Sequence, residues 1–364
     1  MSFEAIRDQE VPVRLLRTMI QRERVPNGLL FWGPSGVGKS LAAHELAKAV
    51  NCAEKRGSAC GVCLSCRKMD HGNHPDVKTL APMKKSRVIP VDTVEEVNEL
   101  ATLHPHESAW RVFIFQEADR MNGVAQNHFL KTLEEPPGQS LFILVTEFPR
   151  VLLPTIRSRC QLIRFGSLRA ETIVSLLREQ RDAPEETARA VAAVAQGQMS
   201  RALDLLESEK REVMLSVAEQ LGDGKSPNEL TEDFMKRLED LKKQVAGHVK
   251  ARFQDEGSAE ELTPDDRKRA EEREEAMVDA LMRQEVLEHL YILETWYRDV
   301  LVYSATGEAG RVFNQDQMAR LEAQPSDANA ERKIEAVERA RSHLNRYINE
   351  ERVFRDLFFT LAEH

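Results

Sequence analysis

GPSGVGKS, residues 33–40, is the stretch that decides the fold of this chain; it comprises Gly33, Pro34, Ser35, Gly36, Val37, Gly38, Lys39 and Ser40. The apolar run LLFW precedes it, and SLAAHELAKAV follows with helical spacing of its apolar residues. The glycines allow backbone N–H groups to converge on phosphate oxygens at a helix N-terminus. The lysine adds a charge against the β- and γ-phosphates, and the serine hydroxyl is a ligand for Mg²⁺. This pattern predicts a site for ATP or ADP between a strand and a helix.

Short apolar runs predict the sheet around this loop. Leu29–Phe31, Val112–Phe115 and Leu141–Val145 are continuously apolar. Such runs are typical of parallel strands with helices on both faces, so we expect an α/β domain. Residues 167–207 and the chain from about 215 onward show helical patterns. The charged stretch 221–285 reads as solvated helical surface interrupted by the loop segment DEGSAEELTPDD.

Bulk composition limits the range of functions. The 364 residues carry a net charge of −9, so contact with DNA requires a local basic face or partner subunits. The sequence has no apolar run of about eighteen residues that would predict a membrane span. The N-terminus lacks the pattern of a signal peptide, and we expect a cytoplasmic protein.

Four of the five cysteines form a cluster in the sequence. Cys52, Cys60, Cys63 and Cys66 are spaced for a tetrahedral Zn²⁺ site with four thiolate ligands. A completed set of four ligands leaves no open position, so we expect the zinc to be structural. Free buried cysteines and an iron–sulfur cluster are the alternatives. Cys160 stands apart and is expected to be packed in the core.

The residues expected to hydrolyse ATP are incomplete. RVFIFQEAD, residues 111–119, places Gln116-Glu117 where many AAA+ ATPases carry Asp-Glu. The first acid holds Mg²⁺ and the second polarises the attacking water, so Glu117 is a candidate catalytic residue and Gln116 lacks the required charge. The next strand leads into Thr146-Glu147, where a carboxylate would repel phosphate. The pattern predicts nucleotide binding with little hydrolysis.

The order of motifs resembles one protein family. The phosphate loop, the cysteine cluster, EADRMN, HFLKTLEEPP and LLPTIRSRC follow one another as in subunits of the bacterial DNA polymerase III clamp loader. The resemblance covers Phe3 to Phe165. It implies a P-loop AAA+ domain at residues 1–166, with a zinc module at about 50–78. A helical lid at 167–212 and an all-α oligomerisation collar at 213–364 would follow.

Within that family, the chain resembles the delta-prime subunit. Gamma/tau motors carry an arginine in the lid where Ser200 aligns here. The resemblance implies a pentamer of three gamma/tau copies, one delta and this chain, which loads the β sliding clamp on primed DNA. It also implies that Arg159, in Ser158-Arg159-Cys160, is an arginine finger that acts on the neighbouring motor's nucleotide.

Two other functions remain open from the sequence. The first is an active gamma/tau-like ATPase or another AAA+ remodeller. The second is a zinc-dependent nucleic-acid binder, which the negative net charge disfavours.

Overall fold

The structure is a computed structural model that describes residues 3–54, 58–82, 88–255, 264–323, 329–346 and 348–363. It divides into two compact units. The first comprises Met1–Thr172 together with Gln198–Ser200, and the second comprises Ile173–Gly197 with Arg201–His364. The division of the chain into three domains stays a prediction.

The first unit is built on a parallel sheet. In the described residues the sheet has five strands in the order β2-β3-β4-β1-β5. The strands are β1 Gly28–Trp32, β2 Val77–Leu80, β3 Arg111–Phe115, β4 Ser140–Thr146 and β5 Gln161–Arg164. The three predicted strands are confirmed. The sequence did not predict β2 and β5 because these edge strands are partly exposed and lack a continuous apolar run.

Helices cover both faces of this sheet. They are α1 Glu10–Gln21, α2 Lys39–Val50, α3 Leu64–Asp70, α4 Val91–Thr102, α5 Gly123–Glu134 and α6 Pro154–Arg159. Successive strand residues alternate between the two cores: Leu29 and Phe31 enter one, and Leu30 enters the other. In the second core Phe142 stacks on Phe113 with ring centroids 5.5 Å apart. The burial of both sheet faces explains the unbroken apolar runs of the sequence.

The second unit is helical throughout its described residues, as the sequence predicts. Its helices, with the starts of α7 and α9 lying in the first unit, are α7 Ala170–Arg181, α8 Glu185–Ala195, α9 Met199–Glu207, α10 Lys210–Gly222, α11 Pro227–Asp255, α12 Pro264–Thr306, α13 Met318–Ala323, α14 Ala330–Asn345 and α15 Glu350–Leu361. Its core contains the fully buried Trp296 and a cluster in which Phe234 and Phe354 lie 4.7 Å apart. Of the predicted loop segment DEGSAEELTPDD, residues 256–263 lie outside the described residues. Among the described helices, none is both long and apolar enough to cross a bilayer.

Candidate nucleotide site and zinc module

The phosphate loop lies between β1 and α2, as the sequence predicts. Gly36 has a φ of +67°, a backbone conformation that strains any residue with a side chain. A Cβ atom at this position would lie 2.3 Å from Oγ of Ser200. Ser200, which belongs to the same compact unit, therefore packs closely on the phosphate loop.

Lys39 directs its charge into the loop. The residue is 6% exposed, and its ammonium group donates hydrogen bonds to the carbonyl oxygens of Gly33, at 2.8 Å, and Pro34, at 2.5 Å. Burial lowers the pKa of Lys39, while the negative charges of Glu147 and Asp119 act against that shift. The lysine is thus positioned to meet phosphate oxygens in the loop, since carbonyl oxygens hold its ammonium group there.

Ser40 and Gln116 are brought together by the fold. The Ser40 hydroxyl donates a hydrogen bond of 2.6 Å to Oε1 of Gln116, which directly follows β3. The sequence predicts that both residues lie at the phosphate end of the site, and the structure brings their side chains into contact. The group facing the serine is a neutral amide, where an Asp would carry a negative charge.

Glu117 lies next to this contact in an unusual backbone conformation. Its φ is +48° and its ψ is +51°, in the left-handed region that residues with a Cβ rarely adopt. Its side chain is 42% exposed and forms an ion pair with Arg120 at 3.6 Å. The left-handed conformation turns the chain sharply at the end of β3, which places this carboxylate at the surface.

The carboxyl end of β4 carries a polar side chain, that of Thr146. Thr146 is 2% exposed; its hydroxyl donates to the carboxylate of Asp119 and accepts the N–H of Phe148 at 2.9 Å. Glu147 is exposed beside it. A small hydroxyl side chain is therefore fixed at the strand end, although the neighbouring carboxylate adds the negative charge that the sequence predicts.

Arg159 is the last residue of α6 and forms an ion pair with Glu134, the last residue of α5. Its guanidinium also donates to the carbonyl oxygen of Thr155 at 3.2 Å. The Arg159 side chain keeps 34% of its surface exposed. Its backbone packs closely on β1, because a Cβ on Gly28 would lie 3.2 Å from the Arg159 carbonyl oxygen and from the Sγ of the buried Cys160. The side chain is therefore accessible, and its backbone lies against the central sheet.

The four clustered cysteines converge in space as their spacing predicts. Their sulfur atoms all lie within 4.8 Å of one another. Tetrahedral Zn²⁺ with bonds of about 2.3 Å needs sulfurs about 3.8 Å apart, so the set is close to ligand geometry. Backbone N–H groups point at the sulfurs: Cys60 N–H lies 3.4 Å from Cys52 Sγ, and Cys63 N–H lies 3.3 Å from Cys60 Sγ. Gly61, at a φ of +73°, lies in the turn between the ligands Cys60 and Cys63.

The charge state of the cluster also fits a metal. Hydrogen bonds from the backbone N–H groups of Val62 and Cys63 lower the pKa of Cys60 to about 6. Burial raises the pKa of Cys66 to about 12, so this thiol requires a cation beside it to lose its proton. Two half-buried ligands, Cys60 and Cys63, and two buried ligands, Cys52 and Cys66, would release protons when zinc binds. The isolated Cys160 is buried, which raises its pKa to about 12 and makes it a packed, unreactive thiol.

His74 contacts the helix that carries Cys66, a contact that the sequence does not predict. It is 4% exposed, and its Nε2 lies 3.2 Å from the hydroxyl of Ser65 on α3 and 3.0 Å from that of Ser108. Its Nδ1 accepts the N–H of Asp76 at 3.1 Å, so Nε2 carries the proton and donates to these hydroxyls. The position of His74 directly before Pro75 and Asp76 gives no sequence signal for this contact.

A partly buried ion pair connects the cysteine module to the helix that follows the phosphate loop. Lys48, on α2, bonds Asp70 of α3 at 2.6 Å and Glu45 at 3.1 Å. Hydrogen bonds to these two carboxylates raise the pKa of Lys48 even though burial acts in the opposite direction. The helix that follows the phosphate loop is thereby tied to the helix that carries Cys66.

Comparisons with known proteins agree with the motif order. Residues 8–169 match the family described as "DNA polymerase III, delta subunit". The DNA polymerase III subunit delta′ of Bacillus subtilis is 35% identical over 176 residues, which cover 47% of this chain and 52% of that protein. The tau subunit of the same organism is 32% identical over 211 residues, 56% of this chain and 37% of that protein. A solved gamma subunit-related protein from Thermotoga maritima aligns over 98% of this chain and 99% of its own, with 15% identity and a TM-score of 0.45.

The matched region is restricted. The chain spans about half the length of the B. subtilis delta′ subunit and 37% of the tau subunit. The family match ends at residue 169, within three residues of the boundary of the first compact unit.

Proposed function

We propose that this chain, a member of the delta-prime and gamma/tau family of DNA polymerase III clamp-loader subunits, acts as a delta-prime-like stator. In this role it binds nucleotide, hydrolyses it poorly, and donates Arg159 to the nucleotide site of a neighbouring motor subunit. The observation that carries the proposal is the pairing of a complete phosphate loop with a neutral Gln116 against Ser40.

The nucleotide part of the proposal rests on the loop geometry. Backbone N–H groups, the N-terminus of α2 and Lys39 supply the positive potential that phosphate oxygens require. Weak hydrolysis follows from Gln116, from the carboxylate of Glu147 beside the lysine, and from Ser200 where a motor carries an arginine. Each of these replaces or opposes a positive or metal-binding group that would stabilise the charge of phosphoryl transfer.

Arg159 suits a role in trans. A finger must be exposed enough to enter a neighbour's site, and it must be held by a rigid backbone. The guanidinium is permanently charged and planar, so it can neutralise charge on a transferring phosphoryl group. Its ion pair with Glu134 is solvent-exposed, and such pairs contribute about 1 kcal/mol or less. A neighbour's phosphate could displace that partner at small cost.

The zinc is proposed to be structural. Four thiolates would complete its shell, and the module is fastened to α2 by Lys48 and Asp70. The proposed partners are the gamma/tau and delta subunits in a heteropentamer, the β sliding clamp, and primed DNA reached through the assembled complex.

Reconstitution tests this function. This chain is mixed with gamma/tau and delta subunits from the same organism. The mixture is expected to form a complex whose ATPase is stimulated by clamp and DNA, and clamp loading is expected to require this chain. The chain by itself is expected to show little ATPase. A chain that enters no complex with these subunits would refute the stator function.

An active motor is the second candidate. The Thr146 hydroxyl, fixed by Asp119 at the end of β4, favours it because motors need a small polar side chain there. Robust ATPase of the isolated chain that is lost in Glu117→Gln would select the motor over the stator.

A further inference from the structure

The side chain that faces the phosphate-loop serine is the neutral amide of Gln116. Mg²⁺ beside nucleotide phosphates needs hard oxygen ligands, with at least one carboxylate to offset its charge. Here the Ser40 hydroxyl donates its proton to Oε1 of Gln116 at 2.6 Å. The other end of that amide is an NH₂ group, which donates hydrogen bonds and cannot ligate a cation.

The carboxylates near this contact are engaged in other ways. Asp119 accepts the Thr146 hydroxyl and lies 3.9 Å from the guanidinium of Arg120. Glu117, turned by its left-handed backbone, pairs with the same arginine. Glu147 is exposed, and its negative charge acts on the ammonium group of Lys39. The residues of this site therefore fit a nucleotide better than they fit its usual magnesium ion.

We propose that this chain binds adenine nucleotide without the usual dependence on Mg²⁺. The inference rests on the proposed nucleotide site and concerns how that site attracts phosphate. Lys39 and the N-terminus of α2 supply the attraction directly, and the Gln116 amide offers a hydrogen-bond donor beside Ser40. A cation here would lack the carboxylate that normally offsets its charge, so adding Mg²⁺ gains little affinity.

Two substitutions of Gln116 separate the effect of a negative charge from the effect of side-chain size. Gln116→Asp introduces a carboxylate that can hold Mg²⁺ through its water shell. The control is Gln116→Asn, because Asn has the same size as Asp and no charge. It shows the effect of shortening the side chain alone. Thermal melts of the three proteins establish that each is folded before binding is measured.

The measurement is a fluorescence titration of the full chain with mant-ADP and mant-ATP. It is made in buffer with excess Mg²⁺ and in buffer freed of divalent cations by a chelating resin. Removing metal from the buffer before adding protein avoids a soluble chelator that would strip the zinc. Lys39→Ala serves in the same assay as the test of the nucleotide site itself.

For the natural sequence, the dissociation constants with and without Mg²⁺ are expected to agree within about threefold. Gln116→Asp is expected to bind about tenfold or more tightly with Mg²⁺ than without it, because a carboxylate and the cation attract each other. Gln116→Asn is expected to keep the small ratio. A tenfold loss of affinity in the natural chain without Mg²⁺, or equal Mg²⁺ responses in the Asp and Asn variants, overturns the inference. Absence of binding in both buffers instead refutes the nucleotide site, and the inference with it.

Discussion

Replacing Arg159 by Ala tests the stator function most directly, and the exposure of its ion pair sets the size of the effect on folding. The side chain forms an ion pair with Glu134, and the two side chains are 34% and 47% exposed. A pair this exposed contributes about 1 kcal/mol or less to folding. The melting temperature of a unit of this size should therefore fall by only about 2–4 °C.

The expected catalytic effect is much larger than the folding effect. Loss of a finger lowers hydrolysis about 10³-fold or more at the site that it serves, which corresponds to about 4 kcal/mol of transition-state stabilisation. If the motor sites of a ring with three gamma/tau copies hydrolyse independently, the complex would lose about one third of its ATPase. A larger loss would show that the sites depend on one another.

The assay compares reconstituted complexes that contain Arg159→Ala, Arg150→Ala or the natural chain. Arg150 is an exposed arginine in the short turn Pro149–Val151 and is the matched control. Arg157 suits this purpose less well, because its Nε is buried and without a hydrogen-bond partner. Zinc content, nucleotide binding and assembly of the Arg159 variant should match the control, while clamp- and DNA-stimulated ATPase should fall.

The refuting result is full ATPase and clamp loading with the Arg159 variant. Arg159 would then be a surface arginine that pairs with Glu134, and the finger mechanism would be wrong. A variant that fails to assemble would place Arg159 in subunit contacts and also contradict a role restricted to catalysis.

Three further predictions concern the metal, the nucleotide and pH. Elemental analysis should find about one zinc per chain. Cys63→Ser should lower that zinc content while most of the helical far-ultraviolet circular dichroism persists. Finding iron, or no metal, would contradict the zinc site. Lys39→Ala should abolish mant-ADP binding with little change in melting temperature, because its hydrogen bonds go to loop carbonyls, and unchanged affinity would contradict the site. Burial lowers the pKa of His289 in the folded protein to about 4, while its pKa in the unfolded chain is about 6.5. Between pH 6.5 and pH 4 the unfolded chain therefore binds more protons than the folded protein. The free energy of unfolding should thus fall as pH drops through this range, by about 3 kcal/mol at most for this group. Urea unfolding of His289→Phe at both ends of the range should show a correspondingly smaller loss. An equal loss in the variant and the natural chain would contradict the assignment to His289.

Several structural features were predictable because local sequence determines them. The phosphate loop requires glycines at particular steps and a lysine and a serine at its end, and these requirements lie within eight consecutive residues. The central strands were recognised because both of their faces are buried, which demands continuous apolar residues. The cysteine spacing predicted a cluster because short loops can close four ligands around one ion.

The two edge strands and the support around His74 were not predicted. β2 and β5 each have one neighbouring strand and partly exposed residues, so their composition resembles that of loops. His74 meets Ser108 across 34 residues of chain, and one buried histidine gives no periodic pattern to detect.

The sequence by itself determined that this chain has an α/β unit with a phosphate loop, a four-cysteine cluster and a helical remainder. Each of these depends on residues close together in the chain, where spacing alone sets which groups meet. Tertiary structure alone decided which partners the functional side chains have. Ser40 meets Gln116 across 76 residues because β1 and β3 belong to one parallel sheet whose carboxyl ends share an edge. Arg159 meets Glu134 because α5 and α6 end side by side, and Ser200 reaches Gly36 because residues Gln198–Ser200 pack in the same compact unit as the phosphate loop. Such contacts follow from how the elements pack, and no local pattern encodes them.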